Sequence, residues 1–168
     1  MRVLHDNYTQ RFYIRTYNRY KQVLLCLKGI VMIKKLLYIF VLAFVLNFVW
    51  ENAHSLLYFH PDGEPITQLI LLQATLFDAV FITLMGVLFL SVPYFKQRLL
   101  FYSLLFGVIV AVVIEFRALE AGRWASNELM PIVPLLKTGL TPTIQLGLLS
   151  YITYRFVFRE PTIKRENV

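Results

Sequence analysis

The stretch LLFYSLLFGVIVAVVI, residues 99–114, has no charged side chain at any of its positions. An α-helix of about 20 apolar residues crosses the hydrocarbon core of a bilayer, and backbone groups in lipid must be satisfied within their own segment. The stretch therefore predicts a spanning helix. The whole chain of 168 residues is similarly apolar, because 58% of its residues are hydrophobic and only 16% are charged. Soluble domains carry about a quarter charged residues, so the composition indicates one integral membrane domain.

Three further apolar runs accompany this one. Turn signals rich in proline and glycine separate the runs, as in HPDGEP at 60–65 and MPIVPLLKTGLTP at 130–142. In the second of these, Thr141 is the predicted N-cap of the last helix, with Pro142 at its first position. The first two connections are short, so consecutive helices are expected to be antiparallel neighbours. The sequence predicts an all-α fold, a four-helix transmembrane bundle with spans at about 36–59, 66–92, 99–119 and 139–158.

The residues before the predicted bundle have a different composition. Basic residues alternate with tyrosines at 7–22, and the apolar segment 23–33 is too short to span a bilayer. Two interpretations stay open for this region: a basic aromatic interfacial segment on the cytoplasmic leaflet, or sequence upstream of a start at Met32. A cleaved signal peptide is disfavoured, because the apolar run continues past the AHS at 53–55. The expected division is an N-terminal segment 1–31, a transmembrane domain 32–160 and a cytoplasmic tail 161–168.

Lysine and arginine set the predicted orientation. Residues 1–35 hold eight of the seventeen basic residues. On alternate sides of the membrane, fourteen basic residues lie with the termini and three lie opposite, namely Arg117, Arg123 and Lys137. The positive-inside rule predicts a multi-pass protein of the cell membrane, plasma or inner, with both termini in the cytoplasm. This topology and anionic lipid account for the net charge of +7, and no nucleic-acid partner is expected because no nucleic-acid motif accompanies the charge.

Polar side chains form a stripe along the first predicted helix. Asn47, Glu51 and His54 follow Ala43 at spacings of four, four and three, which places them on one helix face. A charge at bilayer depth costs about 2.5–3.5 kcal/mol on insertion scales, so such residues are expected to face the interior of the bundle. A plainer interpretation stays open, in which Glu51 and His54, as neighbours on one helix face, simply hydrogen-bond each other.

Each of the other three helices also carries polar residues. Asp78 lies near the middle of the second, and Glu115 follows Gly107 and Ala111 at spacings of four, a small-residue pattern that lets helices approach closely. The partner of Glu115 is expected on another helix, with the first-helix histidine or Asp78 as candidates. Gln145 comes early in the fourth helix. Because the helices alternate in direction, these groups converge on the outer half of the bilayer and predict a polar cavity there.

A charged connection, ALEAGRWASNELMP at 118–131, lies at the same end of the bundle and is expected to cover this cavity. Plainer interpretations stay open for parts of it. Glu120 and Arg123 are three residues apart and suit an ordinary ion pair at a helix end. Trp124 suits an anchor at the membrane interface, and Asp78 suits simple polar pairing with the histidine or Arg123.

The candidate site therefore has an acid–base part and a binding part. Carboxyl groups and a histidine in a desolvated cavity are suited to general acid–base catalysis. The predicted catalytic residues are Glu51, His54, Asp78 and Glu115. The predicted substrate-binding residues are Asn47, Glu120, Arg123, Trp124, Asn127, Glu128 and Gln145.

A metal centre is the main chemical alternative. Di-iron bundles pair two Glu-x-x-His motifs with two further glutamates, and this chain has one such motif, from Glu51 to His54. A mononuclear site made from the four predicted catalytic residues stays open. The single cysteine, Cys26, rules out an intrachain disulfide and a cysteine-based metal cluster. The expectation is a site with no metal and no cofactor.

The motifs named so far resemble those of a family of small, uncharacterised prokaryotic membrane proteins. The resemblance rests on FVWENAHSLLY at 48–58, an aspartate in the second helix, and the EFRALEAGRW stretch with the following Met-Pro at 115–131. It covers most of residues 36–155 and leaves 1–31 outside. The resemblance implies a recurring site and no particular reaction. Sterol isomerase-like four-helix bundles are similar in architecture alone.

Three functions fit these observations, and whether the chain is an enzyme stays open. The first is binding or acid–base processing of a lipid- or isoprenoid-like amphipathic molecule, with Glu51 or Glu115 as general acid or base, His54 as proton partner and Arg123 as anion clamp. The alternatives are a small proton-coupled carrier and a non-catalytic subunit of a larger membrane complex. The expected partners are the bilayer, a lipid or isoprenoid ligand, and a second copy of the chain or another membrane protein.

Overall fold

The computed structural model describes residues 2–59, 66–135 and 138–159, with the side chains of these residues from 20 onward except that of Phe59. The chain is mainly helical, with helices α1 (Arg2–His54), α2 (Gln68–Ser91), α3 (Pro93–Gln97), α4 (Leu99–Glu120) and α5 (Leu140–Val157). A 3-10 turn, Ser55–Leu57, and four two-residue strands complete it: β1 (Tyr58–Phe59), β2 (Ala125–Ser126), β3 (Ile132–Val133) and β4 (Thr138–Gly139). β1 pairs antiparallel with β2, and β3 with β4.

Among the residues that the structure describes, three helices are long and apolar enough to cross a membrane. They are the Tyr20–Leu57 segment, α2 and α4. This confirms the prediction of a helical protein compatible with a membrane location. The predicted fourth span, 139–158, coincides with helix α5, and its crossing of the bilayer stays a prediction. The external loop predicted at 60–65 and the tail at 161–168 lie outside the described residues.

The first predicted span differs from the structure at both ends. The helix ends at His54, and the chain from Tyr58 to Phe59 pairs as strand β1 with β2. The apolar character of 55–59 suggested more helix, but tertiary pairing decides the backbone of so short a segment. Upstream, the helix includes nearly all of 1–31 and is continuous from Arg2. The chain nevertheless divides into two compact units, Met1–Lys35 and Leu36–Val168, near the predicted division at residue 31, and the interfacial location stays a prediction.

Helices α4 and α5 pack with their backbones in close contact. A Cβ atom added to Gly107 would collide with the backbone of Gly147, and one added to Gly147 would reach the Cα of Leu104. The small-residue pattern of α4 thus makes a contact that only glycine permits at this point. Around it lies a core in which the Tyr154 hydroxyl donates a hydrogen bond to the Ile82 carbonyl at 2.5 Å. The buried cluster comprises Ile39, Ala43, Ala79, Ile82, Phe89, Ala111, Leu146 and Tyr154.

Gly122 ends helix α4 and redirects the chain. Its φ of +62° is in the left-handed region that favours glycine. The Gly122 N–H donates to Leu119 O at 3.1 Å and the Arg123 N–H to Ala118 O at 3.0 Å, the two bonds of a Schellman motif. This turn brings Trp124 back over the last turns of α4. At the next helix, the N-cap is Gly139 and not the predicted Thr141, because the helix begins at Leu140, two residues before the predicted first position. Thr143 Oγ1 donates to the Gly139 carbonyl.

Substituting Gly107 tests the close contact between α4 and α5. Gly107→Ala is expected to lower the free energy of unfolding by about 1–3 kcal/mol, because the added methyl group forces the two backbones apart. Gly29→Ala is the control, since a Cβ there meets nothing within 4 Å and alanine favours a helix. Thermal unfolding of the purified protein in detergent measures both. Equal melting temperatures for the two variants would contradict the contact.

Candidate functional site

A cavity of about 1080 Å³ lies among α1, α2, α4 and α5. It is at the end of the bundle where α1 and α4 finish and α2 and α5 begin, which is where the polar residues were expected to converge. Eight of the eleven predicted site residues line it: Glu51, His54, Asp78, Glu115, Glu120, Arg123, Trp124 and Gln145. Much of the remaining wall is apolar, and includes Ile66, Ile70, Leu71, Ala74, Phe77, Val113, Ile114 and Leu146.

Gln145 connects three helices at the floor of the cavity. Its side-chain nitrogen donates to Glu51 Oε1 at 2.6 Å, and lies 3.3 Å from Asp78 Oδ2 and 3.4 Å from Asn47 Oδ1. An amide group has two hydrogens, so it cannot serve all three acceptors fully at once. Three acceptors therefore share two hydrogens, and the carboxyl groups of α1 and α2 both lie within 3.3 Å of one nitrogen. These contacts replace the expected pairing of Asp78 with His54 or Arg123.

Glu115 is held by two aromatic donors. It is only 2% exposed, with Oε1 accepting from the Tyr58 hydroxyl at 2.8 Å and Oε2 from the Trp124 indole N–H at 3.2 Å. The expectation that its partner would be His54 or Asp78 on another helix is wrong. Both donors belong to the segments that follow α1 and α4, because β1 and β2 pair above the helix ends and place the two rings 6.0 Å apart.

His54 has a hydroxyl partner and, among the residues that the structure describes, no carboxylate partner. Its Nε2 lies 2.5 Å from Thr141 Oγ1 at the start of α5, and that hydroxyl also lies 3.2 Å from the sulfur of Met130. The alternative in which Glu51 and His54 bond only each other is therefore not what the structure shows. The edge of the His54 ring meets Tyr58 at 5.1 Å between centroids, so the histidine borders the Glu115 group without bonding to it.

At the rim of the cavity, Glu120 forms a different ion pair from the one predicted. Glu120 lies 3.9 Å from Arg117, one turn earlier on the same helix, and both side chains are exposed. Glu120 does not pair with Arg123, because the helix ends between them at Gly122. A spacing of three residues therefore does not place these two side chains on one helix face. An exposed pair of this kind contributes about 0–1 kcal/mol, so its role here is to place charge at the rim.

Three predicted binding residues do not line the cavity. Asn47 is fully buried below it and bonds the Ala43 carbonyl at 2.8 Å. Asn127 shapes the connection, donating to Leu56 O at 2.8 Å and accepting from the Leu129 N–H at 2.9 Å. Glu128 is exposed. Nothing in the sequence separated these loop residues from Trp124, because the separation depends on how the connection folds.

Tyr58 is the functional candidate that sequence reasoning missed. It lines the cavity beyond the end of the Tyr20–Leu57 segment, and burial, followed by the charge of Glu115, raises its pKa well above the ordinary value. The phenol therefore stays protonated and keeps donating at physiological pH. Its position four residues after His54 would have extended the polar stripe, but strand β1, not helical periodicity, brings it to the site.

The acidic residues contact hydrogen-bond donors and are not arranged around a common point where a metal ion could bind. Within the part of the chain that the structure describes, no three His, Cys, Asp or Glu side chains are placed to hold a metal ion. The mononuclear alternative is therefore not supported by these positions. The arrangement instead holds carboxyl groups against an amide, a phenol and an indole, which suits proton exchange and hydrogen bonding with a polar headgroup.

Substitutions at Glu115 test its two donors. Glu115→Leu is expected to cost about 1–3 kcal/mol for each buried donor left unpaired, on the indole and the phenol. Glu115→Gln is expected to unfold near the wild-type temperature, because its oxygen can accept from Trp124 while its amide donates to Tyr58, whose hydroxyl can also accept. Thermal unfolding in detergent measures both, with the exposed Glu120→Leu as control. A Leu variant as stable as that control would contradict the bonding.

Comparison with known proteins places no family name on this site. No family model, curated protein or solved structure matches the chain. The resemblance to small prokaryotic membrane proteins stays a prediction, and function has to be inferred from the chemistry of the cavity.

Proposed function

We propose that the chain crosses the membrane four times with both termini in the cytoplasm, α5 being the fourth span. The three long apolar helices support this, together with the distribution of basic residues. With α5 crossing, the cavity lies in the outer half of the bilayer, and the 121–139 connection lies at the outer surface.

Reporter fusions test the topology. A reporter fused after Val168 is expected to be active in the cytoplasm, and one inserted at Asp62 is expected to be active outside, because fourteen of seventeen basic residues lie with the termini. Alkaline phosphatase and green fluorescent protein fusions at each position provide opposite readouts. The reverse pattern would place the cavity in the inner half.

In this membrane setting, the cavity binds a lipid- or isoprenoid-like amphipathic molecule. The observation that carries this proposal is the division of its wall between polar and apolar residues. Glu51, Asp78 and Glu115 face the headgroup, and the apolar side chains of α2 and α4 face the hydrocarbon tail. The volume of about 1080 Å³ is slightly above the range of about 300–1,000 Å³ typical of ligand sites, which leaves room for a headgroup and part of a tail.

Acid–base processing of the bound headgroup is the chemistry that these residues can perform. Glu51 and Asp78 both accept from the Gln145 amide, which makes them one pair of neighbouring carboxyl groups able to carry a proton. Glu115 and the Tyr58 hydroxyl form a second proton-carrying pair that lines the same cavity. A headgroup between the pairs would meet one group able to donate a proton and another able to accept one, the arrangement that general acid–base catalysis needs. His54, near the second pair, is the further proton partner.

Tryptophan fluorescence tests the binding. With Trp50→Phe, Trp124 is the only tryptophan left, and it lines the cavity. Farnesol carrying a nitroxide, titrated into nanodiscs, is expected to quench it saturably. Ala74→Phe, which places a larger side chain in the cavity, is expected to weaken binding of the probe by about ten-fold, or about 1.4 kcal/mol.

Ala53→Phe is the matched control, because Ala53 is exposed and lies outside the lining of the cavity. It is expected to bind the probe as the Trp50→Phe protein does. Quenching that rises linearly with probe concentration, and equally in both variants, would mean simple partition into the bilayer and would refute a binding cavity.

A further inference from the structure

The cavity reaches the outer face of helix α4. The residues of α4 that line it begin with the buried Ala111 and Glu115, continue through Ile114, and end at Val113 and Arg117. Val113 is 56% exposed, as much as Ile109 at 53%, which is one turn earlier and does not line the cavity. The cavity wall therefore runs around the helix from its buried side to the side that faces away from the bundle.

Helix α2 repeats this pattern on the opposite wall. Its lining begins at the buried Leu71, continues through Ala74 and ends at the exposed Gln73 and Phe77. Phe77 is 52% exposed, similar to the outward-facing Leu76 at 48%. Since the lining on both helices ends on an exposed face, the cavity opens sideways between them.

At their other ends the two helices are connected through α3. There Phe89 of α2 lies 5.9 Å from Phe95 of α3, and Phe95 lies 6.2 Å from Phe106 of α4, as measured between ring centroids. Phe89 also meets Tyr154 of α5 edge-on at 4.9 Å. Aromatic packing closes this end, while the cavity separates the start of α2 from the end of α4. The gap between α2 and α4 lies at the polar end of the bundle.

Gln73 is the unusual residue at the edge of this gap. From Leu69 to Val87, all the exposed residues of α2 apart from Gln73 are leucine, phenylalanine or valine. A glutamine on such a face loses hydrogen bonds in lipid, and the described residues offer it no side-chain bond in compensation. Its place beside the opening would let it bond a headgroup that passes.

We propose that the gap between the start of α2 and the end of α4 is a lateral portal, through which the ligand's headgroup enters from the bilayer while its tail stays in hydrocarbon. This portal rests on the proposed function. It defines the ligand class as a membrane-dissolved amphiphile with a compact, hydrogen-bonding headgroup. Gln73 guides the headgroup at the edge, and Phe77 and Val113 form the apolar sides.

Narrowing the gap tests the portal by its effect on rates. The double variant Gln73→Phe/Val113→Phe, in the Trp50→Phe background, is compared in nanodiscs by stopped-flow quenching with nitroxide-labelled farnesol. Association and dissociation are both expected to slow, association by about ten-fold, and the affinity is expected to change by less than either rate, since a barrier on the route slows both rates. Leu72→Phe/Ile109→Phe is the control on the same helices, with both residues exposed and outside the lining.

The outcomes separate the two proposals. Saturable quenching with rates equal to those of the control overturns the portal alone. Faster dissociation also overturns it, because the two substitutions would then act on the bound ligand and not on its route. Light scattering compares the mass of the double variant with that of the control. A difference in mass, with equal association and dissociation rates, means that a second copy of the chain covers the gap, and this refutes open access. Absence of saturable quenching in the unnarrowed protein refutes the proposed function itself.

Discussion

Carboxyl groups inside an apolar bundle need hydrogen-bond donors, and this requirement organises the polar end of the molecule. Burying such a group without a donor costs several kcal/mol, on the order of the stability of a whole domain. Glu51 and Asp78 obtain theirs from one amide, that of Gln145, which ties α1, α2 and α5 together. Glu115 obtains two from Tyr58 and Trp124, so the segments after α1 and α4 must fold back over α4.

The two ends of the bundle obey different packing rules. At the closed end, glycines bring α4 and α5 into backbone contact, and aromatic rings fill the space around Phe89. Close packing of this kind leaves no room for a ligand. At the other end the helices are connected by a few hydrogen bonds between side chains, and a cavity remains among them. The rigid end thus positions the groups of the open end, which suits a site that must admit and release a molecule.

The charged connection after α4 has two separate roles. Gly122 and Trp124 belong to the site, because the left-handed glycine turns the chain and the indole then reaches Glu115. Asn127 belongs to the loop itself, where it bonds the backbone of Leu56 and Leu129. The concentration of polar residues in this short stretch therefore reflects both the demands of a buried carboxylate and those of an irregular backbone at a helix end.

The sequence alone determined the helices, because long apolar runs have few other ways to satisfy their backbone in lipid. The second, third and fourth runs match α2, α4 and α5 to within two residues at each end. Periodicity also placed Glu51, Asp78, Glu115 and Gln145 toward one cavity. Only the tertiary structure decided their partners, since Tyr58 reaches Glu115 through a strand pair formed by segments that are distant in sequence. Helical spacing describes neighbours on one helix, and the hydrogen bonds of this site join different elements.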